Sequence, residues 1–192
     1  MKEEKDMLEM VFSGFGGQGV LTAGLIIADI ALAHDMYATW IPSYGAEMRG
    51  GKANCVVKID EEQVGTPSLE EANILMAMNI PSLDFAEQVI SHGTILCDSD
   101  FVEDIPEHRT REDVKYYFVP FNQIARDIGN PRGSNVVAAG VVTALIGARF
   151  EKDVAEKAML GFFEDKGKGK YAEGNKAAFN AGYDYMKNLL KR

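Results

Sequence analysis

The chain has 192 residues, 46% of them apolar and 26% charged, a length that one core can serve and a composition that points to neither disorder nor a membrane protein. Its formal net charge of −9 speaks against a general nucleic-acid binder, because phosphate backbones call for a basic face. Two cysteines, Cys55 and Cys97, fall short of the four thiolates of an iron–sulfur cluster and lack the close spacing of a structural zinc site, so buried thiols in a reducing compartment are expected.

One domain over residues 1–192 is expected, with no linker. Met1 to Asp6 carries both signs of charge and no secretory apolar core follows it. The apolar stretches Val20 to Ala33 and Val136 to Ala148 end short of the roughly 18 residues that a membrane span requires. A cytoplasmic protein without membrane contact is the expectation.

Met7 to Ser13 predicts a short buried strand, broken by Gly14, Gly16 and Gly17 before Gly19-Val20-Leu21 opens a helix to about Ala33. Tyr37 to Ile41 predicts a strand stopped by Pro42, and Ala53 to Ile59 another, closed by Asp60-Glu61-Glu62. Ala72 to Met78 is a third apolar run. Pro81 with Ser82 then starts a predicted helix to about Ile90, ended by Gly93, before a strand over Thr94 to Cys97. Tyr116 to Val119 is the last strand, with Pro120 leading into a short helix. Only helices follow: Ser134 to Arg149, apolar on nearly every face and so expected against the sheet, and a final amphipathic helix with Phe179, Tyr183, Met186 and Leu190 on one side. Elements alternating in this way favour a parallel sheet covered by helices, an α/β fold.

Gly14-x-Gly16-x-x-Gly19 has the spacing of a dinucleotide fingerprint, in which bare backbone amides approach a phosphate at a helix N-terminus. The same glycines equally suit a tight turn that lets helix pack on strand. A nicotinamide or flavin enzyme also places an acid at the end of the second strand, to hold a ribose hydroxyl. Here Asp35 falls at the strand's beginning and Glu47 beyond a proline, so neither fits that role. The loop from Ser43 to Gly51 sets Glu47 and Arg49 around Met48 at the expected carboxyl edge of the sheet. Arg49 offers a planar fork for a carboxylate or phosphate, while an internal Glu47–Arg49 ion pair shaping the loop explains the pattern as well. His34, His92 and His108 have no partner at catalytic spacing, and Lys166 to Lys170 is read as a solvated basic loop.

Taken in order, GFGGQG at 14–19, WIPSYGAEMRGG at 40–51, ANCVVKI at 53–59 and AMNIPSLD at 77–84 make the chain resemble the gamma subunit of the 2-oxoacid:ferredoxin (acceptor) oxidoreductases, most of all the 2-oxoglutarate and 2-oxoisovalerate members. The likeness continues through Gly129-Asn130-Pro131, Ser134-Asn135-Val136 with Ala139-Gly140, and Asn175 to Tyr183. The resemblance implies a three-layer α/β/α, Rossmann-like, mostly parallel sheet in a single domain. It also implies alpha and beta subunits that bind thiamine diphosphate with magnesium, and a ferredoxin-like delta subunit or ferredoxin carrying iron–sulfur clusters. The complex decarboxylates a 2-oxoacid, passes two electrons to the acceptor and transfers the acyl group to coenzyme A. On this reading the chain has no catalytic or metal-ligating residue of its own and is inactive alone, with a homodimer the form open to it in isolation. Gly14, Gly16, Gly17, Gln18 and Gly19 are expected to face a coenzyme A pyrophosphate or the neighbouring subunit, and Ser43, Tyr44, Glu47 and Arg49 to line the mouth of the cleft. The alternatives are a free-standing Rossmann-type NAD- or FAD-binding oxidoreductase and a scaffold without ligand contact.

Overall fold

The computed structural model describes residues 7–45 and 51–191. Strand β1 (Leu8–Phe15) is the pivot of a six-stranded sheet, antiparallel to β3 (Lys52–Asp60) on one side and parallel to β4 (Ala72–Ala77) on the other. Strand β2 (Tyr37–Tyr44) lies outside β3, and β5 (Val89–Asp98) and β6 (Lys115–Val119) lie outside β4, in the order β2-β3-β1-β4-β5-β6. Three of the five pairings are parallel, which makes the sheet mixed but mostly parallel.

Alternation of side chains along each strand divides the sheet into two faces. Met10 and Phe12 of β1, with Cys55, Val57 and Ile59 of β3, join one core with the helices. That face carries α1 (Val20–Leu32), α2 (Phe121–Asp127), α3 (Ser134–Ile146), α4 (Lys152–Asp165) and α5 (Ala172–Leu189). As its composition predicts, α3 is buried almost all round. Its outer side packs on α5, where Gly140 and Gly182 let the two backbones meet: a Cβ at Gly140 would stand 2.1 Å from the Phe179 carbonyl oxygen, and one at Gly182 2.1 Å from that of Val137.

On the second face Val11, Leu75, Ala77, Ile95 and Cys97 are covered by Leu83 and Ala86 of a 3-10 run, Ile80–Gln88. The third layer is therefore built of 3-10 turns. The α-helix expected to reach Ile90 stops at Gln88, because Val89 already pairs with Ala72 as the start of β5. The ladder then breaks and resumes at Ile74 and Thr94, so Gly93 sits inside a long irregular strand instead of ending a helix.

Pro42 also departs from expectation. It lies within β2, opposite Cys55, and the strand continues to Tyr44. β2 is an edge strand, so the missing N–H can face away from the ladder without loss. On the second face Glu9 and Lys58 stand opposite each other on β1 and β3 and form a buried ion pair, with Nζ 3.2 Å from Oε2 but off hydrogen-bond alignment.

Candidate functional site

The carboxyl ends of β1, β2, β4, β5 and β6 gather at one rim, and the turn from β1 into α1 sits there. Gly17 (φ 103°) and Gly19 (φ 79°, the residue capping α1) hold left-handed backbone that glycine adopts without steric cost. Gln18 braces the turn from beneath. Its Oε1 accepts from the Phe15 N–H (2.6 Å) and from Asn79 Nδ2 (3.0 Å), and its Nε2 donates to the Met78 carbonyl (3.1 Å). Asn79 Oδ1 accepts from the Ser82 N–H (3.0 Å) and Oγ (2.8 Å), which caps the 3-10 run. Two motifs 61 residues apart in sequence thus form a single hydrogen-bonded unit.

Above this unit, on the helix face, is a cavity of about 340 Å³ lined by Gly16, Gly17, Gly19, the first turn of α1 (Val20, Leu21, Thr22) and Tyr44. Among the described residues no side chain caps α1, Ala23 is the first of its amides to bond the Gly19 carbonyl, and the N–H groups of Val20, Leu21 and Thr22 have no partner. Such amides and the helix dipole place partial positive charge at the cavity wall. The root of the second loop is tied to the same turn, since the Gly16 N–H donates to the Gly51 carbonyl at 2.9 Å. On the second face a cleft of about 270 Å³ opens between the sheet and the 3-10 run, bounded by Ser13, Lys52, Asn54, Pro81, Asp84 and Phe85.

The predicted site residues separate accordingly. Gly16, Gly17, Gly19 and Tyr44 meet at the helix-face cavity. Gly14 is buried beneath the turn, and the amide of Gln18 is engaged inside the protein. Ser43 is exposed, and strand alternation sends it to the opposite face from Tyr44. Glu47 and Arg49 lie outside the described residues. Sequence reading passed over Ser13, Asn54, Thr22 and the bridging role of Asn79; alternation within β1 and β3 holds the signal for the first two.

Elsewhere on the rim the Asp98 carboxylate, wholly buried at the end of β5, accepts from the Asp100 N–H (3.0 Å) and from Asn122 Nδ2 (3.1 Å). Burial pushes its carboxyl up to about 7. Burial likewise pushes the Cys55 and Cys97 thiols up to about 12. His34, read from sequence as one more surface histidine, is half-buried, with Nδ1 2.7 Å from the Ile30 carbonyl and Nε2 accepting from the Glu151 N–H at 2.8 Å.

The sequence profile of the family described as pyruvate ferredoxin/flavodoxin oxidoreductase matches residues 9–185. The chain belongs to this family. Ketoisovalerate oxidoreductase subunit VorA of Methanothermobacter thermautotrophicus is 36% identical over 93% of the chain, which spans only 36% of VorA's own length. The 2-oxoglutarate synthase subunit KorC of Methanocaldococcus jannaschii is 34% identical, and the match covers 94% of this chain and 95% of KorC. Among solved structures, the gamma subunit of a keto/oxoacid ferredoxin oxidoreductase from Geobacter sulfurreducens superposes with a TM-score of 0.76 at 30% identity, covering 93% of this chain and 98% of that one. A 2-oxoglutarate:ferredoxin oxidoreductase from Magnetococcus marinus, solved with 2-oxoglutarate, coenzyme A and succinyl-CoA bound, shares the fold with a TM-score of 0.83 at 23% identity, over 98% of this chain and 32% of that one.

Within the pyruvate ferredoxin/flavodoxin oxidoreductase family the chain is of the gamma-subunit type. The free-standing dinucleotide enzyme is not favoured. In this sheet β3 runs antiparallel between β1 and β2, so β1, α1 and β2 do not form adjacent parallel strands, and β2 ends in Ser43 and Tyr44 with no acid for a ribose.

Proposed function

We propose that the chain, as one domain over residues 1–192, is the gamma subunit of a multi-subunit 2-oxoacid:ferredoxin oxidoreductase and that its glycine-turn cavity holds an anionic part of coenzyme A. The observation that carries this reading is the cavity itself: an uncapped first helical turn and glycine amides around about 340 Å³, closed on one side by Tyr44. Backbone amides at a helix N-terminus suit a pyrophosphate, and an exposed tyrosine ring offers a flat apolar wall. Gly16, Gly17 and Gly19 line that wall; Gly14 and Gln18 shape it from below. Glu47 and Arg49 are assigned to the outer mouth, towards the neighbouring subunits, whereas Ser43, on the opposite face from Tyr44, is not part of this cavity.

The donor set of this chain does not suit the redox groups of such a complex. Cys55 and Cys97 are buried on opposite faces of the sheet, and among the described residues no group of three histidine, cysteine or acidic side chains is arranged to hold a metal ion. Thiamine diphosphate with magnesium is accordingly assigned to alpha and beta subunits, where it supplies the electron sink for loss of carbon dioxide, and iron–sulfur clusters to a ferredoxin-like delta subunit or ferredoxin. This chain's part is to orient coenzyme A and to close the cleft against water. A homodimer is the form we assign to it apart from its partners. Among the described residues no helix is long and apolar enough to cross a membrane, in keeping with a cytoplasmic complex.

Thr22→Glu tests the ligand role. Glutamate in the third position of a helix favours the helix, so folding is expected to survive while the new carboxylate occupies the amide wall. In the assembled complex the KM for coenzyme A should rise about tenfold or more, as for the loss of one charge-assisted contact, with kcat at saturating coenzyme A held. An unchanged KM in a complex of normal composition would leave the turn a docking element only.

A further inference from the structure

We propose that the cleft on the second face of the sheet is a separate binding site for a small oxyanion, a carboxylate or a phosphate. It lies across the sheet from the α1 cavity and does not depend on the coenzyme A reading.

Ser13 stands directly opposite Asn54 in the β1–β3 ladder, and both line the cleft. Ser13 is 5% exposed and its hydroxyl, which keeps contact with the open cleft, bonds no other described residue; neither does the carboxamide of the half-buried Asn54. Polar groups that line a cleft without a protein partner bond water or a guest in its place. These two point into a space that could hold one, with a donor each to offer.

The charge of the partner follows from the three ionised groups at the mouth. Asp84 is held by Arg109 at 2.6 Å and by Lys52 at 3.2 Å. Arg109 is fixed a second time, donating to the Ile80 carbonyl at 2.6 Å. Among the described residues Lys52 has no such second bond, and its side chain is 72% exposed. It can turn from Asp84 to a ligand while Arg109 still neutralises the carboxylate. Lys52, Arg109 and Asp84 together leave one positive charge at this mouth, on a chain whose net charge is −9. An oxyanion taking its charge contact from Lys52 and its remaining hydrogen bonds from Ser13 and Asn54 satisfies all three. Pro81 and Phe85 supply an apolar wall for a short stem, and about 270 Å³ restricts the guest to a small molecule.

The test is a titration of the full chain with sodium acetate and, separately, with inorganic phosphate, at constant ionic strength held with chloride, following the Asn54 side-chain amide and the Ser13 backbone amide by NMR. Saturable shifts at both positions are expected with at least one of the two anions, and the one that saturates identifies the source as carboxylate or phosphate. Lys52→Gln should weaken that binding about tenfold or more, and Ser13→Ala severalfold, in line with loss of a charged and a neutral contact. The proposal is overturned if neither anion saturates, or if Lys52→Gln and Ser13→Ala both bind as the parent does. Thr22→Glu should leave these shifts intact, which separates this site from the one at α1.

Discussion

Gln18 shows how one side chain can set the shape of a site it does not line. Removing its amide in Gln18→Ala leaves the Phe15 N–H and Asn79 Nδ2 without their acceptor; buried groups stranded in this way cost about 1–3 kcal/mol. Urea unfolding should show a loss of that size, with Gln18→Glu, which keeps the acceptor but not the donor to Met78, falling between it and the parent. The glycine spacing around Gln18 was legible in the sequence because a turn is local. The bond to Asn79 was not, because it exists only once β4 has paired with β1. Asp98 gives a second residue-scale expectation. Its folded-state carboxyl is raised to about 7, chiefly by burial, so between about pH 4 and pH 7 the folded chain keeps a proton that the unfolded chain releases. Stability from this group is therefore full at the acidic end and lost as pH rises through that window, by on the order of 4 kcal/mol at most. Denaturation of Asp98→Asn from pH 4 to 8 should give a flatter profile than the parent; parallel profiles would place the effect elsewhere.

At the scale of elements, the apolar runs predicted every strand, and the buried character of α3 and the amphipathic stripe of α5 were both readable from residue type and period, except that Leu190 falls just past the end of α5 and is exposed. The misses have tertiary causes. Pro42 reads as a strand stop until β2 is known to be an edge, and the helix drawn to Ile90 gives way because Val89 finds a partner in Ala72. The α3–α5 crossing was hidden for a similar reason: a glycine within a helix does not announce which backbone it admits. Gly182→Ala should cost more than about 3 kcal/mol, because the new methyl meets the rigid carbonyl of Val137 and overpacking against backbone has no side chain to yield. Gly161→Ala in α4, with open space around it, should be neutral or stabilising by up to about 1 kcal/mol. Thermal melts of the two variants compare these directly, and equal melting points would contradict the packing account.

For the molecule as a whole, the sheet serves to bring distant segments to one rim. β1 delivers the glycine turn, the β2–β3 pair delivers Tyr44 and the root of the second loop, and β4 delivers Asn79. The ordered motifs made the family legible, since their sequence carries this rim almost intact. The division of the rim into two cavities on opposite faces was not, because Ser43 and Tyr44 are neighbours in sequence and part only when the strand is pleated. The polar groups around the two cavities are amides, hydroxyls, the Asp84 carboxylate and one loosely held lysine, which suit binding and positioning. Chemistry supplied by neighbouring chains is what the proposed function requires. The most direct test is reduction of ferredoxin by a 2-oxoacid and coenzyme A, measured for the purified chain, for the complex captured through it, and for that complex prepared without it. The account predicts turnover from the complete complex alone; turnover by the isolated chain, or full coenzyme A-dependent turnover in its absence, would contradict it.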